Sequence, residues 1–240
     1  MKLSVVMPVY NEERTVEEIV RRVQATPYDK EIILVNDCSK DGTAAILERM
    51  AKEQANVRVF HHPHNLGKGG ALATGFSKVT GDVVLIQDAD LEYDPSDYAT
   101  LLRPILEGKA DVVFGSRFLG GAYARVHLFY HYVGNRMLTL ASNCFTNLNL
   151  TDMETCYKVF RREVADRLDI RSRTFAVEPE ITAKVAKLRV RVYEVPISYA
   201  GRDYSEGKKI GLKDAFIALW AIMRWSLFSG VKPLREKRGH

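Results

Sequence analysis

The chain has 240 residues, 46% of them hydrophobic and 27% charged, a globular composition that excludes a wholly disordered protein. Its 35 Lys and Arg against 30 Asp and Glu give a net charge of +5, spread along the chain rather than gathered in one tract. That balance suits an anionic substrate or a membrane surface and argues against a dedicated nucleic-acid binder. Cys38, Cys144 and Cys156 are odd in number and lack metal-ligand spacing, so neither a disulfide framework nor a zinc site is expected and a reducing cytoplasm is the default compartment.

In chain order, residues 2–8 read as a strand too short and too poorly flanked for a secretion signal. Further strands are expected at 31–36, 57–61, 83–87 and 112–115. Between them Val16, Ile19, Val20 and Val23 share one helix face, and Ala45, Ile46, Leu47 and Met50 another, with turn and cap chemistry in Asp41-Gly42-Thr43. This alternation predicts a mostly parallel, doubly wound α/β sheet with helices on both faces. Past about Gly120 the period changes, and 123–149 is rich in aromatics, His and Asn, with Arg125 and Arg136 among them. Residues 210–231 approach the length of a membrane span but are interrupted by Lys213, Asp214 and Arg224. They predict an interfacial amphipathic helix carrying Phe216, Ile217, Leu219, Trp220, Met223, Leu227 and Phe228, with a helix packed on its own domain or on a twin subunit as the alternative.

The chemistry concentrates in loops that follow strands. The apolar run Val83-Val84-Leu85-Ile86 leads through Gln87 into Asp88-Ala89-Asp90, and in extended chain Asp88 and Asp90 share one side. Two carboxylates at the carboxyl end of a parallel strand suit a divalent cation; a solvated Asp-rich turn is the plain alternative. Pro8 to Glu13 and Asn36 to Thr43 end at the same sheet edge, where a base or ribose would sit; each loop is also consistent with ordinary helix capping. Asn65 to Gly75 is glycine-rich, and Lys68 there is placed to meet a base or phosphate. It ends as neither a Walker loop nor a dinucleotide fingerprint. His61, His62 and His64 in a Pro-containing turn read as surface loop rather than a metal cluster.

Taken together, Pro8 to Glu13, Asn36 to Thr43, Asn65 to Gly75 and Gln87-Asp88-Ala89-Asp90-Leu91-Glu92 resemble, in order, the nucleotide-site motifs of family 2 glycosyltransferases of the GT-A fold. Gly115-Ser116-Arg117-Phe118, the run from Thr151 to Lys158, and Glu178-Pro179-Glu180-Ile181 are similar to the acceptor half of the branch containing dolichyl-phosphate mannose synthases and glucosyltransferases. The resemblance implies an inverting transfer of a hexose, from GDP-mannose ahead of UDP-glucose, to a polyprenyl phosphate with Mg²⁺ or Mn²⁺. By position it implies Asp88 and Asp90 as metal and nucleotide carboxylates, Glu92 as a further metal contact, and Asp37 with Pro8, Tyr10, Asn11 and Glu12 as the nucleoside pocket. It likewise implies Arg117 as a clamp for the acceptor phosphate, with Arg136 and Lys158 as further candidates.

A lipid phosphate monoester is substantially dianionic at neutral pH and needs no strong base, whereas a sugar hydroxyl acceptor would need one, with Asp152 or Glu154 the first candidates. An idle nucleotide-sugar-binding subunit is the reading from another class; intact Asp88, Asp90 and Arg117 speak against it. Residues 202–210 resemble a mobile lid. The expected organisation is a nucleotide-sugar half at 1–120, an acceptor half of the same domain at 121–205, and lid, amphipathic helix and basic tail at 206–240. Expected surroundings are the cytoplasmic face of the cell membrane, and the expected partner is a second copy of the chain or a membrane protein.

Overall fold

The computed structural model describes residues 1–120, 129–174, 176–201 and 212–234. The expected lid at 202–210 and the tail beyond residue 234 lie outside these residues.

Five strands fall where the alternation placed them: β1 (Leu3–Val9), β2 (Lys30–Asn36), β3 (Val57–His61), β4 (Val83–Ile86) and β5 (Val112–Ser116). Two more, β6 (Lys158–Arg161) and β7 (Val192–Pro196), complete a seven-stranded sheet of order β3-β2-β1-β4-β6-β5-β7. β1, β2 and β4 read as continuous apolar runs because helices cover both faces, so almost no polar alternation is tolerated. The helices are α1 (Val16–Gln24), α2 (Thr43–Glu53), α3 (Gly67–Phe76), α4 (Tyr98–Leu106), α5 (Phe129–Thr146), the short α6 (Arg162–Ala165), α7 (Val177–Leu188) and α8 (Leu212–Phe228). In α1 all four predicted core positions, Val16, Ile19, Val20 and Val23, are fully buried.

The insertion of β6 decides where the site forms. β6 runs antiparallel to both β4 and β5, so two reversals bring β5 back to the direction of β4, and β7 follows β5 in parallel. The carboxyl ends of β1, β2, β4, β5 and β7 therefore point to one sheet edge, together with the loop that enters β6. The residues after each of those strands meet there.

The C-terminal helix packs on its own domain, the alternative reading, while keeping Phe216, Trp220 and Phe228 outward. α8 packs on α7 and α5 through Ala218, Ala221, Ile222 and Trp225, with Ala183 of α7 in the same small cluster. Small side chains let the two helices approach closely. The bulky apolar residues turn outward instead, Phe216 at 71% and Phe228 at 79% exposure, with Trp220 and Leu227 also exposed. Its outer side thus carries the apolar residues that the sequence assigned to its apolar face. Among the described residues no helix is long and apolar enough to cross a membrane.

Candidate active site

At the end of β4 the strand stops at Ile86, so Asp88 and Asp90 lie in a loop rather than in extended chain, and strand alternation does not place them. What places them is Gln87, which is fully buried. Its Oε1 accepts hydrogen bonds from Tyr98 Oη (2.9 Å) and Tyr157 Oη (2.8 Å), while its Nε2 donates to the Asp88 carbonyl at 3.0 Å. A buried amide satisfied on both sides fixes the direction of the chain that follows. Asp90 Oδ1 accepts from the Glu92 N–H at 3.1 Å, which tightens the turn between the two. Tyr93, buried beneath this turn, takes the Cys156 N–H on its hydroxyl at 3.1 Å and ties the turn to the segment entering β6.

Asp88 pairs with Lys68 at 3.0 Å, and Lys68 also reaches Glu178 Oε1 at 3.2 Å. Burial works against the Lys68 charge, yet the Asp88 and Glu178 carboxylates hold its pKa well above the ordinary value, so it stays an ammonium. Glu178 in turn pairs through Oε2 with Lys158 at 2.6 Å. The sequence expectation that Lys158 reaches an acceptor phosphate is corrected here. Its side chain is fully buried, and its three ammonium donors meet Glu178 and the carbonyls of Met153 and Thr155. Asp88, Lys68, Glu178 and Lys158 thus form one alternating chain of charges beneath the site. Burial and the Asp88 charge push the Cys156 thiol well up, so it remains protonated and hydrogen-bonds Asp88.

The upstream loops are laced to one another. Asn11, in the left-handed region at φ 56°, accepts the Lys40 N–H at 2.8 Å, Thr43 Oγ1 accepts the Glu12 N–H at 2.9 Å, and Glu13 accepts the Gly42 N–H at 2.7 Å. Tyr10 stands 42% exposed beside them. Asp37 is buried, and its carboxylate accepts the N–H groups of Leu66 (2.8 Å) and Gly67 (2.7 Å) at the start of α3. His62 also contacts Asp37 at 2.7 Å, and its other ring nitrogen meets Thr74 at 2.8 Å. The reading of all three histidines as surface loop is therefore wrong for His62, whose side chain is only 7% exposed and has both nitrogens satisfied by Asp37 and Thr74. The glycines of α3 serve a close backbone approach of a different kind. A side chain at Gly67 or Gly69 would collide with the backbone oxygens of Arg173 and Ser172, and the Gly69 N–H donates to the Arg173 carbonyl at 3.1 Å. Glu180 holds that covering segment by accepting the N–H groups of Arg171 (2.9 Å) and Ser172 (2.6 Å).

Beyond β5, Arg117 is gripped by Asp152 in a fork, Nε to Oδ2 and Nη2 to Oδ1 at 2.7 Å each. Asp152 is fully buried, and Glu194 of β7 cradles its loop by accepting the N–H groups of Thr151 and Asp152 at 3.0 Å. A carboxylate consumed by an arginine fork is a poor general base, so Asp152 orients Arg117 rather than removing a proton. Arg136, on α5, is exposed and donates to the Thr151 carbonyl at 3.3 Å. Burial raises the Glu194 carboxyl here, and burial with the Glu178 charge raises Glu154 to about 7. The Glu154 Oε1 is sealed without a hydrogen-bond partner.

Glu92 is almost buried, and its Oε2 accepts from Tyr199 Oη at 2.6 Å. The Tyr199 ring lies 5.1 Å from the Arg117 guanidinium. Sequence reading passed over Gln87, Glu178 in its pairing role, Glu194 and Tyr199. Gln87, Glu178 and Tyr199 had only their place near a strand or helix end as a signal and Glu194, inside β7, had none, because their partners come from segments distant in sequence.

Among the described residues no three His, Cys, Asp or Glu side chains converge into a ready metal cage. Asp88 and Asp90 nonetheless fit Mg²⁺ or Mn²⁺ by chemistry. They offer hard carboxylate oxygens, Asp88 already pairs with a cation, and such ions commonly take one or two carboxylates plus substrate phosphates.

A largely parallel sheet interrupted by an antiparallel strand, with an acid pair at one strand end and a forked arginine at another, defines the GT-A glycosyltransferase class. Residues 4–169 match the family Glycosyl transferase family 2, and the chain belongs to that family. It is 28% identical to an undecaprenyl-phosphate mannosyltransferase of Micrococcus luteus, covering 100% of both chains. It is also 28% identical to a polyprenol monophosphomannose synthase of Mycolicibacterium smegmatis, covering 93% of this chain and 86% of that one. In fold it is similar to a glucosyl-3-phosphoglycerate synthase from Mycobacterium tuberculosis solved with Mn²⁺, UDP and phosphoglyceric acid, with a TM-score of 0.70 at 18% identity over 98% of this chain and 80% of that one.

Proposed function

We propose that the chain transfers a hexose with inversion from a nucleotide sugar, GDP-mannose before UDP-glucose, to a polyprenyl phosphate at the cytoplasmic face of a membrane. The observation that carries this reading is the Asp152 fork on Arg117. It holds a cationic clamp at the same edge as Asp88 and Asp90 and leaves Asp152 with no basic role. Full-length similarity to a mannosyltransferase named for undecaprenyl phosphate supports it.

In this mechanism Tyr10 offers its exposed ring to the base, while Asn11, Glu12 and Asp37 hold the pocket's shape through the loop bonds they make and Pro8 closes its strand side. Asp88 and Asp90 would hold Mg²⁺ or Mn²⁺, with Glu92 as a further candidate contact. When bound, the ion neutralises the leaving diphosphate. Lys68, between Asp88 and Glu178, keeps Asp88 in place. Arg117, with exposed Arg136, orients the acceptor phosphate. A phosphate oxygen attacks the anomeric carbon, the bond from that carbon to the diphosphate oxygen breaks, and the nucleoside diphosphate leaves with the electron pair. The acceptor is already an anion, so no side chain must take a proton; positioning and charge complementarity supply the rate.

The outward apolar side of α5 and α8 supports the membrane location. Phe145, Phe216, Leu219, Trp220, Ile222 and Met223 line a cavity of about 410 Å³. Phe129 and Tyr130 lie exposed on the same helix α5 as Arg136. Contiguous exposed apolar surface of this kind marks a lipid or protein contact. Glu154 favours a second reading, transfer to a sugar hydroxyl, since a carboxyl titrating near 7 is matched to general base work. The discriminating experiment supplies each of GDP-mannose, UDP-glucose and UDP-N-acetylglucosamine with Mg²⁺ or Mn²⁺ and vesicles containing polyprenyl phosphate. Sugar recovered in the lipid extract supports the first reading, and sugar found only on a soluble glycan acceptor supports the second.

A further inference from the structure

Tyr199 occupies a place that neither the motifs nor the charge-transfer chemistry uses. It lies three residues beyond the end of β7, at the common sheet edge. Its hydroxyl donates to Glu92 Oε2 at 2.6 Å, and the backbone N–H of the next residue, Ala200, donates to the Glu92 carbonyl at 2.9 Å. Its ring lies 5.1 Å from the Arg117 guanidinium and 5.1 Å from the ring of Tyr93, which itself sits against Tyr157 at 4.8 Å. One side chain therefore touches the acid side through a charge-assisted hydrogen bond and the arginine side through a cation–π contact. The tyrosines behind it limit its freedom to swing away from either.

We propose that Tyr199 is a positioning residue that sets Glu92 of the cation side and Arg117 of the acceptor side against each other, so that the two half-sites are held in one geometry. The inference rests on the reading that Glu92 faces the donor's cation and Arg117 the acceptor phosphate. Its two contacts are chemically separable. Tyr199→Phe removes the hydroxyl and keeps the ring on Arg117, whereas Tyr199→Leu removes both.

The experiment measures Mn²⁺ binding in the presence of GDP by electron paramagnetic resonance, and inorganic phosphate binding by calorimetry, on the full chain without turnover. Tyr199→Phe is expected to weaken Mn²⁺ about tenfold or more, the scale of one hydrogen bond to a charged group, and to leave phosphate affinity within about twofold. Tyr199→Leu is expected to weaken both by more than about threefold. Unchanged Mn²⁺ affinity in Tyr199→Phe, or unchanged phosphate affinity in Tyr199→Leu, overturns the proposal while the reading of the two half-sites stands. A wild-type chain that binds neither probe overturns that reading and the proposal with it. Thermal midpoints of both variants, together with a Tyr199→Phe, Glu92→Gln double-mutant cycle, report the contact itself: additive losses of stability contradict a direct bond.

Discussion

Arg117 and Asp152 meet through two parallel 2.7 Å bonds, with the arginine side chain 10% exposed and the aspartate wholly sealed. The acid's full occupation by one guanidinium makes it a support for the cation, and the consequence is measurable. Asp152→Ala leaves a nearly buried charge unpaired and is expected to cost about 3–5 kcal/mol of stability in urea unfolding. Arg117→Lys keeps a charge without the fork and is expected to raise the acceptor KM more than about tenfold while leaving donor binding intact. An Asp152→Ala variant as stable as wild type would remove the basis for this role.

Lys68 stands between Asp88 and Glu178 at 3.0 and 3.2 Å, so its loss leaves two carboxylates facing each other. Lys68→Met is expected to lower the thermal midpoint by several degrees in chelator, on the scale of about 1–3 kcal/mol. Added Mn²⁺ is expected to raise the midpoint of the variant more than that of wild type, because the ion replaces the missing cation beside Asp88. Equal metal-induced shifts in both proteins count against the placement of Lys68.

Glu154 gives a pH dependence of definite sign. Burial and the Glu178 charge raise its pKa from 4.5 to about 7 in the folded chain. The folded state then holds a proton that the unfolded state releases, so this group's effect is absent below about pH 4.5. Stability falls as pH rises to about 7 and stays at the lower level above. Glu154→Gln is expected to remove that fall and to gain roughly 1–3 kcal/mol relative to wild type between pH 5 and 8. Parallel stability profiles in the two proteins contradict the raised value.

Gly69 tests the contact between α3 and the segment held by Glu180. A methyl group there runs into the Ser172 carbonyl, a backbone atom with little freedom to move. Gly69→Ala is expected to destabilise by about 1–3 kcal/mol despite the better helix propensity of Ala. A neutral or stabilising result shows that the covering segment yields.

The strands and helix faces of the first half were legible because β1, β2 and β4 are short apolar runs bounded by turn residues, and α1 repeats its buried positions at helical spacing. The sheet edge carrying the site followed from the same alternation. β6 was not legible. It is four residues long, contains a lysine, and owes its place to pairing with β4 and β5 and to Glu178, which arrives 20 residues later to neutralise Lys158. The state of each site residue was equally hidden, since Asp37 and His62 satisfy each other across 25 residues and Tyr199 and Glu92 across 107. Side-chain type gave the chemistry available at the edge, but long-range pairing decided which groups remained open to substrate. α8 keeps outward the apolar residues that the sequence assigned to its apolar face, because close packing on Ala183 reserves its small residues for the interior.

The central claim is hexose transfer to a lipid phosphate through the acids after β4, and one assay addresses it directly. Wild type and Asp90→Ala are incubated with labelled GDP-mannose or UDP-glucose, divalent cation and vesicles containing polyprenyl phosphate, and the organic extract is counted. The account predicts labelled lipid from wild type with one of the two donors, and a loss of at least about a hundredfold in Asp90→Ala with the thermal midpoint retained. No labelled lipid from wild type with either donor, or undiminished product from Asp90→Ala, would contradict it.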